Sequence, residues 1–151
     1  MPKKAKSLKY YEAVGRRKES RARVRLYILD KEKVVTIDGN KIKAGEIYLN
    51  SKPIGETFVQ EYEKLQYLKP LTLTSNLARF AISILSEGGG KTGQLEAIVH
   101  GLARSLDKVD KDAYHTTLKK QKLLTRDPRT RERRKVGHAG RARRAKQSPK
   151  R

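Results

Sequence analysis

The last 33 residues, Lys119 to Arg151, carry 15 lysines and arginines against two acids, Asp127 and Glu132, a net charge of +13. After Leu124 the only sizeable aliphatic is Val136, and Pro128, Gly137, Gly140 and Pro149 interrupt any periodicity. Such a stretch cannot bury enough apolar surface to offset its ordering entropy. Alone it is expected to be disordered, and to order along a polyanion. The whole chain has 37 Lys and Arg against 16 Asp and Glu, a formal +21, so the first 118 residues hold the remaining +8. Solubility needs far less charge. Self-repulsion makes it a liability unless a partner of opposite sign is bound, and nucleic acid is the densest polyanion available.

With 151 residues, the chain has room for one ordinary domain and an appendage. Hydrophobic residues make up only 36%, so the core must be small and locally concentrated. The absence of cysteine excludes disulfides and thiolate-rich zinc sites. No apolar run approaches the roughly 18 residues of a membrane span. The start, Met1-Pro2-Lys3-Lys4-Ala5-Lys6, lacks the apolar stretch of a secretory signal. A soluble, cytoplasmic protein is expected. Residues 1–9 read as a mobile basic arm, 10–118 as a globular domain and 119–151 as an extended basic tail.

Within the domain, the stretch from Tyr10 to Leu29 reads as strand. Val24, Leu26 and Ile28 alternate with Arg21, Arg23, Arg25 and Tyr27, which puts aliphatics on a core face and arginines outside. Gly15-Arg16-Arg17-Lys18 extends the same basic patch. Asp30-Lys31-Glu32-Lys33 turns the chain into a second strand, Val34 to Ile37, closed by Asp38-Gly39-Asn40. A helix is expected from a Ser51 cap and Pro53 in its first turn, with Ile54, Phe58, Tyr62 and Leu65 on its inner face and Lys69-Pro70 at its end. Phe80, Ile82 and Ile84 mark a central strand with both faces fairly apolar. Gly88 to Gly93 then opens the clearest helix, striped by Leu95, Ile98, Val99, Leu102, Leu106 and Val109. Arg104, Asp107, Lys108 and Lys111 fall largely on its other side. The order predicts an α+β domain with helices on one face of a small sheet.

Candidate chemistry is sparse. Gly90-Lys91-Thr92 resembles the end of a phosphate-binding loop, but Leu85 stands where that pattern needs glycine. A tight strand-to-helix turn with glycine at positive φ explains the run, and amides at the helix start are free to meet an RNA phosphate as well. His100, His115 and His138 lack metal-ligand spacing. Asp107, Asp110 and Asp112 read as a solvated helix end, with no separated acid/base pair legible. Neither catalytic nor metal residues are identified, and no cofactor or small-molecule substrate is implied.

Two long segments resemble signatures of the small-subunit ribosomal protein nine family, in its bacterial form. One runs from Gly88 to Leu106, Gly-Gly-Gly-Lys-Thr-Gly-Gln-Leu-Glu-Ala-Ile-Val-His-Gly-Leu-Ala-Arg-Ser-Leu. The other runs from Thr125 to Gly137, Thr-Arg-Asp-Pro-Arg-Thr-Arg-Glu-Arg-Arg-Lys-Val-Gly, followed by Ala142-Arg143-Arg144 and the final Lys150-Arg151. Tyr10-Tyr11, Gly15 to Lys18 and Ala22-Arg23-Val24 fit the family's start. The resemblance implies the fold group named for the second domain of small-subunit protein five, with a four-stranded sheet and a left-handed βαβ crossover. It also implies a place in the head of the small subunit, on the 3′ major domain of its ribosomal RNA and beside other head proteins. The family's tail reaches peptidyl-site tRNA, which makes Lys150 and Arg151 the tRNA-proximal pair. The end departs from the family pattern: Lys146-Gln147-Ser148-Pro149-Lys150-Arg151 lacks an aromatic and inserts Pro149 before the terminal cations.

The expected ribosomal RNA contacts are Arg16, Arg17, Lys18, Arg21, Arg23, Arg25 and Lys91 in the domain, then Arg126, Arg129, Arg133, Arg134, Lys135, Arg141, Arg143 and Arg144 in the tail. A DNA-compacting or DNA-regulating protein is the rival reading. DNA readers present a recognition helix with basic and amide residues outward. Here the best helix has mixed charge and the basic residues lie on strand and tail, which favours irregular RNA.

Overall fold

Lys18 and Glu19 divide the long strand expected from residue 10 to residue 29 into a hairpin. The computed structural model describes residues 9–29, 34–37 and 39–144. In it, β1 (Tyr10–Arg17) and β2 (Ser20–Ile28) pair antiparallel from Tyr10↔Tyr27 to Arg17↔Ser20. Lys18 takes a φ of 51°, and the two-residue connection needs that left-handed backbone. An unbroken period-2 pattern does not show where a strand reverses. The alternation itself holds: Ala22, Val24 and Leu26 are buried, while Arg21 and Arg23 are exposed. Two residues depart from it. Ile28 is exposed at the strand end, and Tyr27 is buried on the arginine face.

Tyr27 is covered by a small separate sheet. β3 (Val34–Ile37) pairs with β4 (Asn40–Lys43), and Val35, Ile37 and Ile42 form a second core with Tyr27 and Ala81. The expected turn at Asp30 to Lys33, and Asp38, lie outside the described residues. The main sheet continues with β5 (Ile47–Leu49) and β6 (Lys52–Pro53), neither of which the sequence announced.

The expected helix after Ser51 is two helices. Ser51 sits at a φ of 67° rather than capping, and Pro53 precedes a single turn, α1 (Ile54–Thr57). The chain leaves helix at Phe58 and re-enters it in α2 (Glu61–Leu73), a restart that shifts the phase. Ile54 and Phe58 are therefore buried as expected, but Tyr62 and Leu65 are 56% and 66% exposed. The buried positions of α2 are Glu63, Tyr67, Pro70 and Leu71. Pro70 does not end the helix. It removes one hydrogen bond, that to the Gln66 carbonyl, and the helix continues for three more residues to Leu73. Thr74 Oγ1 donates to the Pro70 carbonyl at 3.0 Å, and the Asn76 amide to that of Leu71 at 2.9 Å.

β7 (Phe80–Glu87) is central, antiparallel to β2 and parallel to β5, which gives a mixed five-stranded sheet ordered β1-β2-β7-β5-β6. The four-stranded sheet implied by the resemblance is five-stranded here, and β3 and β4 form a sheet of their own. Gly88 and Gly89 then turn the chain at φ of 71° and 64° into α3 (Lys91–Val109), the helix read from the sequence, followed by α4 (Lys111–Lys120). α3 lies across β1 and β2, with α2 and α4 beside it. Leu95, Ile98, Leu102 and Leu106 meet Leu26, Phe80 and Ile82 in the main core. Two glycines set the close approach of helix to sheet. A Cβ on Gly15 would stand 1.9 Å from the Ala97 carbonyl oxygen, and one on Gly101 would stand 2.7 Å from Val24 Cγ2.

Candidate nucleic-acid interface

β1 is the outer strand of the sheet, so every second residue turns its backbone polar groups away from β2. α3 satisfies three of them. The Arg16 amide donates to His100 Nδ1 at 3.3 Å, Arg104 Nη1 donates to the Val14 carbonyl at 2.6 Å, and Lys108 Nζ donates to the Glu12 carbonyl at 2.7 Å. The register is a coincidence of two repeats. Four helical residues advance about 6.0 Å, two strand residues advance about 6.7 Å, and helix and strand run in opposite directions. Because Nδ1 accepts, the imidazole proton sits on Nε2, which donates to the Leu124 carbonyl at 3.3 Å. Burial holds the His100 pKa below the ordinary histidine value.

Along this seam runs an open groove of about 620 Å³, lined by Arg16, Arg104, Lys108 and Arg126 with Glu12, Val14 and Leu124. A carbonyl partner removes no charge, so Arg104 and Lys108 remain full cations beside it. Glu12, the only carboxylate among the described residues that line the groove, is already paired with Arg25 at 2.7 Å. Among the described residues the groove therefore presents four cations and no unpaired acid, an arrangement suited to a phosphodiester backbone.

The tail leaves from the end of this groove and is held at its root. Leu123 and Leu124 pack against the main core. Arg17 points inward from β1, its side chain only 12% exposed, and pairs with Glu96 of α3 and with Asp127 at 3.2 Å. It also donates to the Arg129 carbonyl at 2.7 Å. Asp127 is gripped from the other side by the Arg129 guanidinium, with contacts at 3.0 and 2.6 Å. That hydrogen bonding, with Arg17 close by, holds the Asp127 carboxyl well below the usual carboxylate range. Further out the chain is irregular, and Val136 is 100% exposed. Residues 135–141 turn back on themselves, the Lys135 amide donating to the Arg141 carbonyl at 3.2 Å.

The profile of the family described as ribosomal protein S9/S16 matches residues 15–151. The chain belongs to that family. A relative from Dehalococcoides mccartyi strain BAV1, named small ribosomal subunit protein uS9, is 42% identical over 142 residues, covering 94% of this chain and 96% of its own. The protein of the same name from Maridesulfovibrio salexigens is 38% identical over 128 residues, covering 85% and 87%.

Membership in the S9/S16 family gives the positions of the sequence-predicted residues a common frame. Arg16 and Arg126 meet at the groove. Lys18, Arg21 and Arg23 are exposed on the hairpin and on the face opposite α3. Arg25 shares that face but is paired with Glu12 and lies over the Tyr10 ring at 5.2 Å. Arg133, Arg134, Lys135, Arg141 and Arg144 are exposed along the tail. Arg129 and Arg143 are exposed too, each paired with a tail acid, Asp127 or Glu132. Two of the expected contacts already hold acidic partners within the protein. Arg17 is committed to the tail root. Lys91 Nζ pairs at 2.8 Å with Glu63, a carboxylate only 3% exposed, and lies over the Phe58 ring at 5.8 Å. The Lys91 hydrogen bond is the main cause that lowers the Glu63 pKa. Lys150 and Arg151 lie outside the described residues. Arg104 and Lys108, which line the groove, were not singled out from the sequence, although their spacing of four from His100 marked one helical line.

Proposed function

We propose that this chain is a non-enzymatic structural constituent of the small ribosomal subunit, which grips ribosomal RNA along the β1–α3 groove, the exposed β2 arginines and the tail. The single observation that carries the reading is the groove itself: Arg16, Arg104, Lys108 and Arg126 stand together with no unpaired carboxylate among the described residues. The relatives' name and the excess of charge support it. No helix among the described residues is long and apolar enough to cross a membrane, and a place in cytoplasmic ribosomes follows from the assignment.

The finer reading is the one implied by the family. Residues 1–9 form an arm, 10–118 a body and 119–151 the tail. The body takes the fold of the second domain of small-subunit protein five, supported by the parallel β5–β7 pair joined through α1 and α2. It sits in the head on the 3′ major RNA domain beside other head proteins, and Lys150 and Arg151 steady peptidyl-site tRNA. Reconstitution of small subunits tests both levels. Replacing Arg16, Arg104 and Arg126 by glutamine should impair incorporation of the protein. Deleting Lys150 and Arg151 should leave incorporation intact and weaken retention of peptidyl-site tRNA. Normal incorporation of the triple variant would refute the groove, and unchanged tRNA affinity after the deletion would refute the tip.

A further inference from the structure

Beside the groove, a second opening of about 320 Å³ lies between α2, α3 and the tail root. Its lining is mixed in a particular way. Leu95 is buried at its floor, half-buried Val99 and Leu123 form apolar walls, and the exposed ring of Tyr62 stands at its mouth. Gln66 and Thr125 offer donors and acceptors at the sides. Lys69 and Lys122 add positive charge, while the three carboxylates present, Glu63, Glu96 and Asp127, are all in ion pairs with Lys91 or Arg17. The volume is at the small end of ligand sites, enough for one compact planar group.

From this lining we infer that the cleft receives a single unstacked RNA base, with Tyr62 as its stacking partner. The inference rests on the reading of the neighbouring groove as an RNA backbone site. Arg16 and His100 line both openings, so a strand with its phosphates in the groove passes directly by the cleft mouth. A base has two apolar faces and a polar edge, which the Val99–Leu123 walls and the Gln66 and Thr125 groups complement. Proteins that read irregular RNA take splayed bases onto aromatic rings in this manner. Tyr62 has no core role that would explain an aromatic at this position, since over half of it is exposed.

The test uses the full chain and two probes, a tetra-adenylate and an abasic oligomer with the same number of phosphates. Binding is followed by titration, and by NMR shifts of Val99, Leu123 and the Tyr62 ring. The base-bearing probe should bind about tenfold more tightly than the abasic one and shift the cleft residues. Tyr62→Ala should abolish that preference, and Tyr62→Phe should keep it, since stacking needs the ring and not the hydroxyl. Equal affinities with shifts confined to Arg104 and Arg126 would overturn the base site and leave the groove standing. If neither probe binds, the groove reading falls and the base site with it.

Discussion

Arg17 Nη1 donates to the carbonyl oxygen of Arg129 at 2.7 Å, joining residues 112 positions apart in the chain. With Asp127 on the same guanidinium, the first turn of the tail is fixed to β1 and α3 together. The tail therefore departs from the body in a set direction. Arg17→Ala should free residues 125–129, read as lower backbone order parameters there with those of β2 unchanged. Unaltered order at Asp127 would show that Leu123 and Leu124 hold the root by themselves.

Gly15 lies under α3 with no room for a methyl group. A Cβ there meets backbone, which cannot swing aside as a long side chain can. Gly15→Ala should cost about 3 kcal/mol by chemical denaturation, as over-packing of a close contact does. A loss below about 1 kcal/mol would mean that helix and sheet separate easily.

RNA affinity should fall steeply with salt, and the slope identifies which cations meet phosphate. Arg16→Gln or Arg126→Gln should each flatten the log–log dependence by about 0.7 to 0.9 for every phosphate left without its cation. Lys91→Gln should leave the slope unchanged and lower thermal stability instead, because Glu63 would remain buried without its cation. A slope change in the Lys91 variant would return that lysine to the RNA surface.

His100 couples folding to pH. Its folded pKa is depressed below 6.5, so its contribution is present in full above about pH 6.5 and lost as pH falls through the lower folded value. Denaturation at pH 7.5 and pH 5.5 should show a decline that is smaller in His100→Gln, which cannot titrate. Equal declines in the two proteins would assign the acid sensitivity to other groups.

The elements that sequence reading placed correctly share one property: a strong repeat tied to a single face. β7 and α3 are of this kind, as is the inward set of β2. What escaped was decided by contacts distant in the chain. Tyr62 and Leu65 have helical spacing from Phe58, yet the break before Glu61 rotates them out, and spacing alone does not record a break. The pairings of Arg17 and Lys91 were not legible because their acids, Asp127 and Glu63, are far away in sequence. Within the site, Arg16 and Arg126 were legible from charge density. Arg104 and Lys108 were not, because mixed charge on a helix usually means solvent, and only the paired β1 edge shows otherwise.

Occupying part of that edge has a consequence for the free chain. An outermost strand with bare amides and carbonyls invites a second molecule to add itself to the sheet. On β1 three of these groups, the Arg16 amide and the Val14 and Glu12 carbonyls, are taken by His100, Arg104 and Lys108 of the same molecule, and the opposite margin ends in Pro53, which has no amide hydrogen to offer. Both margins thus offer a second copy fewer free backbone groups to pair with. Arg104 and Lys108 serve the β1 edge and the lining of the groove with the same side chains.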